Sequence, residues 1–196
     1  VSSTSVQGTG VVPGIAYAPA GWVQQNAPLP VDDRVIAEDD RAGEKEAFTA
    51  AAERVASRFD ARASLATGVA SEVMAATAGL ARDRGWIRAA TKLIASGRPA
   101  TMATTEAIAQ FVAQFEKLGG LMAERTTDLK DIRDRVIAEI LGLPEPGVPQ
   151  PEEPIILLAP DLAPADTAGL DPALVIALVT QHGGPTSHTA IIARQL

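Results

Sequence analysis

The segment LPEPGVPQPEEP, residues 143–154, restricts the fold more than any other part of the chain. It contains five prolines, and proline removes a backbone N–H donor and clashes with the preceding turn, so no helix runs through this segment. Before it, apolar residues recur at helical spacing through residues 31–142, whereas after it they form short runs between turn residues. The segment therefore predicts a boundary between a helical block and a part that contains strands.

The helical block carries apolar residues at intervals of three and four, which is typical of amphipathic helices. One apolar stripe consists of Phe48, Ala52, Val55 and Phe59. A second follows a candidate helix cap at Thr101 and consists of Ile108, Phe111, Val112 and Phe115. A third consists of Leu118, Leu121, Met122, Leu129, Ile132, Val136 and Ile140. Shorter helices are predicted at 68–82 and 84–96, and an antiparallel bundle would bury all of these stripes.

Two apolar runs after the proline segment, IILLAPDL and ALVIALVTQ, predict buried parallel strands. APADTAGL between them predicts a short capped helical turn, and TSHTAIIARQL predicts a second helix. Strand, helix, strand, helix is the order typical of an α/β domain. Residues 1–25 carry no charge, and their stretch GVVPGIAYAPAGWV predicts short strands and turns that pair with the C-terminal part.

The predicted architecture is therefore an α/β domain, residues 1–30 and 143–196, with an all-α helical bundle, residues 31–142, inserted into it. The distribution of charge agrees with this division. Residues 1–25 and 143–196 together hold six acidic residues and one basic residue, and the other eighteen acids and sixteen bases lie in the helical block.

Composition argues against several classes of function. The net charge of −7 argues against a nucleic-acid partner, because phosphate contacts need a basic surface. The chain has no cysteine, which excludes disulfides and thiolate metal sites. The N-terminal residues lack the pattern of a signal peptide, and no apolar run is long enough to span a bilayer. We expect a cytoplasmic protein without membrane insertion.

The stretch GGPTSHTAIIAR places His188 in the first turn of the last predicted helix, after a strand that ends near Gln181. Free backbone N–H groups at a helix start attract anions and disfavour a cationic imidazole. A neutral His188 could therefore accept a phosphoryl group and hold it as a phosphoramidate. The alternative is a capped helix whose histidine only hydrogen-bonds a loop, and the physical argument alone leaves both open.

The same residues resemble the phosphohistidine signature of the phosphoenolpyruvate-utilising enzymes, of the form G-G-x-T-S-H-x-A-I-x-A-R. Three further stretches are similar to Enzyme I of the bacterial sugar phosphotransferase system: GVVPGIAYAPA, ERTTDLKDIRDRV and LLAPDLAPADTAGL. The resemblance implies a phosphohistidine (swivelling) α/β domain with an inserted helical domain that docks the carrier protein HPr. It also implies phosphoryl transfer from phosphoenolpyruvate to HPr, the first step of sugar uptake by that system.

The resemblance assigns roles to individual residues. It makes His188 the phosphorylated residue, through the ring nitrogen farther from the backbone, and Thr167 the residue that orients it. Arg194 matches the motif arginine, which either contacts phosphate or stabilises the helix. The loop that accepts the phosphoryl group would be shaped by Gly183, Gly184, Thr186 and Ser187.

The predicted HPr-docking surface departs from the family pattern. A histidine and a Met-Leu-Leu type of apolar patch are usual in the second helix, where this chain has VMAATAGLARDRGW. Docking would then depend on Met74, Leu80 and Trp86, with Arg82 and Arg84 at positions where acids are common. Arg125, in the segment ERTTD, completes the predicted set.

We also expect strands after Leu196 and, in a longer parent enzyme, a C-terminal barrel that binds phosphoenolpyruvate and Mg²⁺. The residues of this chain supply no metal ligands of their own in that scheme. The fragment is expected to be a monomer and the parent a homodimer.

Two other functions remain open. One is the swivelling domain of a pyruvate phosphate dikinase or phosphoenolpyruvate synthase, which the HPr-type insertion makes less favoured. The other is a helical binding module with a vestigial histidine. The second histidine, His182, is expected to lie at a strand end near solvent, and a second catalytic role for it is the less favoured alternative.

Overall fold

A computed structural model describes residues 5–24, 29, 31–149, 151–160, 162, 166–167, 170–182, 184 and 188–194. At 69, 70, 121, 124, 188, 191 and 192 it describes the backbone alone. The chain divides into two compact units, one formed by Val1–Val23 with Gly147–Leu196 and the other by Gln24–Pro146. The helical unit is thus inserted, along the chain, into the α/β unit. The domain limits predicted above stay predictions.

The helical unit contains, among its described residues, six α-helices preceded by a single 3-10 turn, Glu38–Asp40. They are α1 (Arg41–Leu65), α2 (Gly68–Ala81), α3 (Arg84–Ala95), α4 (Ala100–Leu118), α5 (Gly120–Glu124) and α6 (Thr126–Leu141). The predicted division near Asp83 is confirmed, because the Asp83 carboxylate caps α3 by accepting from the backbone N–H of Gly85 at 2.8 Å. None of the described helices has both the length and the apolarity needed to cross a bilayer.

The predicted apolar stripes form the core of this unit. All four residues of the first stripe are buried, as are Ile108 and Val112 of the second and Leu129, Ile132 and Val136 of the third. The rings of Phe48 and Trp86 meet edge to face, with centroids 5.6 Å apart. Many of the remaining core positions are alanines, so the helix backbones can approach one another closely.

Two details of the helical prediction are wrong. Thr101 does not cap α4, because the helix begins one residue earlier, and the N–H of Ala100 donates to the Glu44 carboxylate of α1 at 2.8 Å. Leu118 is 69% exposed. The reason is that Gly119 and Gly120 both have positive φ angles, which ends α4 and breaks the phase of the third stripe.

The α/β unit contains, in the part of the chain that the structure describes, a parallel three-stranded sheet in the order β1-β2-β3. Its strands are β1 (Ala20–Trp22), β2 (Ile155–Ala159) and β3 (Val175–Thr180). Ala20 pairs with Ile156, and Leu157 pairs with Leu178. A helix, α7 (His188–Ala193), follows β3. The predicted pairing of the N-terminal residues with the C-terminal strands is confirmed, and so is a helix after β3.

The sheet also corrects two predictions. The stretch 10–19 forms no strand, and its Ile15 and Tyr17 side chains are fully exposed. β2 is the buried strand, with Leu157 inaccessible, whereas Ile176 and Val179 of β3 are substantially exposed. β3 lies at one edge of the described sheet, so only one of its sides has a neighbouring strand.

A cluster of ion pairs joins α1, α6 and the start of the proline segment. Arg135 is 1% exposed; its guanidinium binds Asp131 at 2.8 Å and also pairs with Glu145. Glu145 additionally binds Arg62 at 3.1 Å. Glu145 therefore attaches the segment that leaves the bundle to two helices. The ion pairs of Glu145 thus attach the start of the proline segment to the bundle.

We predict that Arg135→Met lowers the free energy of unfolding by about 2–3 kcal/mol, because it leaves two carboxylates without their buried partner. Arg98→Met is the matched control. Arg98 is more exposed, and its ion pair among the described residues is with Glu106 at 3.1 Å, so its loss should cost under about 1 kcal/mol. Chemical denaturation of both variants measures the difference, and equal costs would contradict the prediction.

Because Glu139 is ion-paired, we predict that its contribution to the free energy of unfolding depends on pH. Burial raises the pKa of Glu139, but hydrogen bonds from Arg58 and Arg54 outweigh burial and lower the pKa below its ordinary value. A carboxyl whose pKa is lowered by folding stabilises the protein above the unfolded pKa and loses this effect as the pH falls. Glu139→Gln should therefore cost about 1 kcal/mol at pH 7 and progressively less below pH 4.5. Denaturation at several pH values tests this, and a cost independent of pH would contradict it.

Candidate functional site

The carboxyl ends of β2 and β3 lie side by side. The N–H of Gln181 donates to the carbonyl of Ala159 at 3.0 Å, and the N–H of His182 donates to the carbonyl of Pro160 at 2.9 Å. Because the strands are parallel, the segments that follow them leave the sheet at the same edge. Thr167 follows β2 and His188 follows β3 along the chain. Both residues therefore lie on segments that leave the sheet at the carboxyl ends of its strands. In open α/β sheets, ligands bind outside the carboxyl ends of the strands.

Thr167 lies on a segment that the core of the α/β unit anchors. Asp166 and Thr167 are helical, and Thr167 is 0% exposed. Its carbonyl accepts from the N–H of Leu170 at 3.3 Å. Leu162 and Leu170, on either side of it, are buried with the residues of β2. Thr167 is therefore held in a fixed place, as the predicted orienting role requires, although its contact with His188 stays a prediction.

His188 is the first residue of α7, so the predicted position of this residue at a helix start agrees with its backbone. The next two residues, Thr189 and Ala190, are buried. Arg194 follows the helix and is exposed, and its Nε donates to the carbonyl of Val11 at 3.1 Å. This contact attaches the end of α7 to the N-terminal stretch, and a role of Arg194 in stabilising the helix stays a prediction. A contact of Arg194 with phosphate stays a prediction.

The rest of the predicted loop is described at one position. Gly183, Thr186 and Ser187 lie outside the described residues, whereas Gly184 is exposed, with open space where a side chain would begin. His182 is exposed directly after β3 and uses its backbone N–H in the contact with Pro160.

Two residues of the predicted docking surface are buried, which corrects that prediction. Met74 is 2% exposed and Trp86 is 0% exposed. The Trp86 ring packs on Phe48, and its Nε1–H donates to the carbonyl of Leu80 at 3.0 Å. Leu80 itself is half-buried against the same core. These side chains face inward because helical spacing places them on the core side of α2 and α3, so Met74 and Trp86 offer no surface to a partner.

The arginines of the predicted docking surface differ in how they are paired. Arg82 binds Glu53 at 2.7 Å and Asp60 at 2.6 Å, both on α1, and these hydrogen bonds raise its pKa. Arg125 binds Asp128 at 3.2 Å, and burial raises the pKa of that carboxyl. Arg84 is exposed and forms no ion pair among the described residues. Arg84 is thus the cation of this set that remains available to a partner.

Two further exposed cations lie on the same face of α3 as Arg84, and the sequence analysis did not single them out. Arg88 and Lys92 follow it at intervals of four on α3 and are also exposed. The interval itself was the available signal, because residues four apart lie on one face of a helix.

Family models match both units of the chain. The model described as PEP-utilising enzyme, N-terminal, matches residues 7–125, which is more than half of the chain. The chain belongs to the PEP-utilising enzymes. The model of the mobile domain of these enzymes matches residues 151–196, which include the edge of the sheet described above.

Relatives of this PEP-utilising chain include proteins from bacteria and archaea. A phosphoenolpyruvate-protein phosphotransferase of Streptomyces coelicolor is 42% identical over 195 residues, which cover 98% of this chain and 34% of the relative. A protein of the same name from Haloferax volcanii is 45% identical over 103 residues, covering 53% of this chain and 18% of the relative. The chain thus spans about a third or less of the length of these relatives.

Solved structures agree with the fold over both units. The solution structure of an Enzyme I protein has a TM-score of 0.79 at 29% identity and covers 94% of this chain, which in turn covers 77% of that structure. The N-terminal domain of Enzyme 1 - Nitrogen has a TM-score of 0.66 at 25% identity over the same shares. An α/β domain with an inserted helical bundle, as predicted from the sequence, is the fold of this chain.

Proposed function

We propose that these residues are the phosphohistidine and carrier-docking part of a phosphoenolpyruvate-protein phosphotransferase. The observation that carries the proposal is the motif GGPTSHTAIIAR, which begins after β3 and includes α7, at the sheet edge from which the Thr167 segment also leaves. The Streptomyces coelicolor relative, aligned over nearly the whole chain, is a phosphotransferase by name and supports the same activity.

In the proposed reaction, the neutral imidazole of His188 attacks phosphorus with its Nε2 lone pair. An Nε2–P bond forms and the phosphoenol P–O bond breaks, and the enolate that leaves becomes pyruvate after it takes up a proton. In the second step, a nucleophile on HPr attacks the same phosphorus and the Nε2–P bond breaks. HPr then passes the phosphoryl group toward sugar uptake.

Phosphoryl transfer depends on positioning and on charge neutralisation rather than on covalent help from the protein. The buried Thr167 segment could supply positioning. Mg²⁺ would supply charge neutralisation, but the described residues include no group of three or more His, Asp or Glu side chains arranged to hold a metal ion. As the resemblance implies, we propose that a further domain binds Mg²⁺ and phosphoenolpyruvate and presents the phosphoryl group to His188. A cytoplasmic location, a monomeric fragment and a homodimeric parent belong to the same proposal.

We predict that His188 takes up an acid-labile, base-stable phosphoryl group from phosphorylated HPr. His188→Ala should abolish labelling, whereas His182→Ala, at an exposed histidine six residues earlier, should retain most of it. Incubation with labelled phospho-HPr followed by acid and base treatment measures this. Equal loss in both variants would contradict the assignment, and labelling from ATP without HPr would favour a dikinase.

Thr167→Val should slow labelling of His188 by one to two powers of ten, or about 1.4–2.7 kcal/mol in the barrier, because the orienting hydroxyl is lost. Thr167→Ser keeps that hydroxyl and should restore most of the rate. Chemical denaturation of both variants provides the control. If the valine variant unfolds, or if serine does not restore the rate, Thr167 acts through packing alone.

A further inference from the structure

Arg194, the residue after α7, attaches that helix to the N-terminal stretch. Its Nε donates to the carbonyl of Val11 at 3.1 Å, and its backbone N–H donates to the carbonyl of Ala190 at 3.3 Å. Arg194 is exposed, so its guanidinium binds a backbone carbonyl at the surface of the α/β unit. The contact therefore joins the end of the helix that carries His188 to a part of the chain 183 residues away in sequence.

The sheet holds the other end of this N-terminal stretch. The N–H of Ile156, the second residue of β2, donates to the carbonyl of Pro19 at 2.9 Å, and β1 begins at Ala20. β1 and β3 lie on opposite sides of β2, and α7 is the helix that follows β3. Residues 11–19, which we call the strap, therefore connect the β1 side of the sheet to the end of the helix after β3.

Backbone constraints and hydrogen bonds, rather than burial, set the course of the strap. Its Ile15 and Tyr17 side chains are fully exposed. Pro13 fixes its own φ angle, and Gly14 has a φ of 151°, a conformation that residues with a side chain rarely adopt. These two residues leave few conformations to the backbone between the attachment at β2 and the attachment at Arg194.

The length of α7 explains why such an attachment matters. The helix has six residues, and helices of this length are unstable in water without tertiary contacts. Thr189 and Ala190, which follow His188 directly, are buried and hold the beginning of the helix. Arg194 lies about 9 Å farther along the axis than His188, at about 1.5 Å per residue. Contacts at both ends fix the direction of the helix as well as its place.

We propose that the strap positions His188, and that Arg194 is the residue through which it does so. By fixing the end of α7, the contact of Arg194 with Val11 restricts the tilt of the helix and hence the place of the imidazole. Phosphoryl transfer is sensitive to such tilts, because the reacting atoms must be close and in line. Arg194 is thus a positioning residue that acts through the helix. The inference rests on the proposed function, in which His188 accepts the phosphoryl group.

A double-mutant cycle tests the inference. Arg194→Met removes the donor of the contact, and deletion of residues 1–11 removes its acceptor. Deletion of residues 1–6 is the matched control, because it shortens the same stretch and keeps the carbonyl of Val11. Labelling of His188 is measured over a range of phospho-HPr concentrations, which gives the rate at saturation and the half-saturating concentration. Chemical denaturation gives the folded fraction, so that each rate refers to folded protein.

We expect Arg194→Met to lower the saturating rate about three- to tenfold, the range that the net contribution of one hydrogen bond allows, and to leave the half-saturating concentration within about twofold. Deletion of residues 1–11 should have the same effect and deletion of residues 1–6 almost none. The combined variant should be no slower than either change alone, because both remove one contact.

Two kinetic outcomes would overturn the inference. If the losses from Arg194→Met and from deletion of residues 1–11 multiply in the combined variant, Arg194 acts on the phosphoryl group directly. If both variants are less stable but their folded fraction is labelled at the wild-type rate, the contact is structural only.

Hydrogen exchange separates this inference from the proposed function. The backbone N–H groups of Ile192 and Ala193, late in α7, should exchange at least about threefold faster in both variants than in the wild-type chain, because the helix end opens locally. If phospho-HPr does not label the wild-type chain, the proposed function is wrong, and faster exchange would still support the strap as the element that holds α7. Unchanged exchange in both variants would overturn the inference even where His188 is labelled.

Discussion

The ion pairs of the buried Arg135 guanidinium constrain how the helical unit is held together. A charge removed from water must be paired, and Arg135 is paired with Asp131 on its own helix and with Glu145 beyond it. The guanidinium also lies 5.1 Å from the centre of the Phe59 ring on α1. One side chain therefore connects two helices to the start of the proline segment. Because proline cannot continue a helix, the ion pairs of Glu145 hold the segment where backbone hydrogen bonds of a helix are no longer available.

The distribution of charge within the bundle follows from this principle. The Glu139 carboxylate of α6 binds Arg54 and Arg58 of α1, and the Glu53 carboxylate of α1 binds Arg82. These cations therefore contribute to the fold. Among the residues that the structure describes, Arg84, Arg88 and Lys92 of α3 form no such ion pair. Most exposed charges are simply solvated.

Local periodicity was sufficient to predict most of the helices, because burial of one face decides where an amphipathic helix packs. It failed where the deciding contact was distant in sequence. The cap of α4 comes from Glu44, which lies 56 residues before the N–H it accepts from. It also failed in orientation: Met74 and Trp86 were assigned to the surface from resemblance, although helical spacing places Trp86 in line with the buried Ala90 and Ile94. For β3, the apolar run correctly predicts a strand, but it does not show that some of the apolar side chains of that strand are exposed.

The candidate site has a more specific sequence signal than the docking surface, because that signal is a run of particular residues rather than a periodicity. The run identifies which residues belong together, but the fold determines what each one contacts. Arg194 belongs to the same motif as His188, and its Nε is used to hold the carbonyl of Val11, in an N-terminal stretch that forms no strand. Thr167 is buried between two leucines that pack with β2. The motif that contains His188 thus includes a residue, Arg194, whose side chain attaches the end of α7 to the N-terminal stretch, whereas Thr167, outside that motif, is held by the burial of its neighbours against β2.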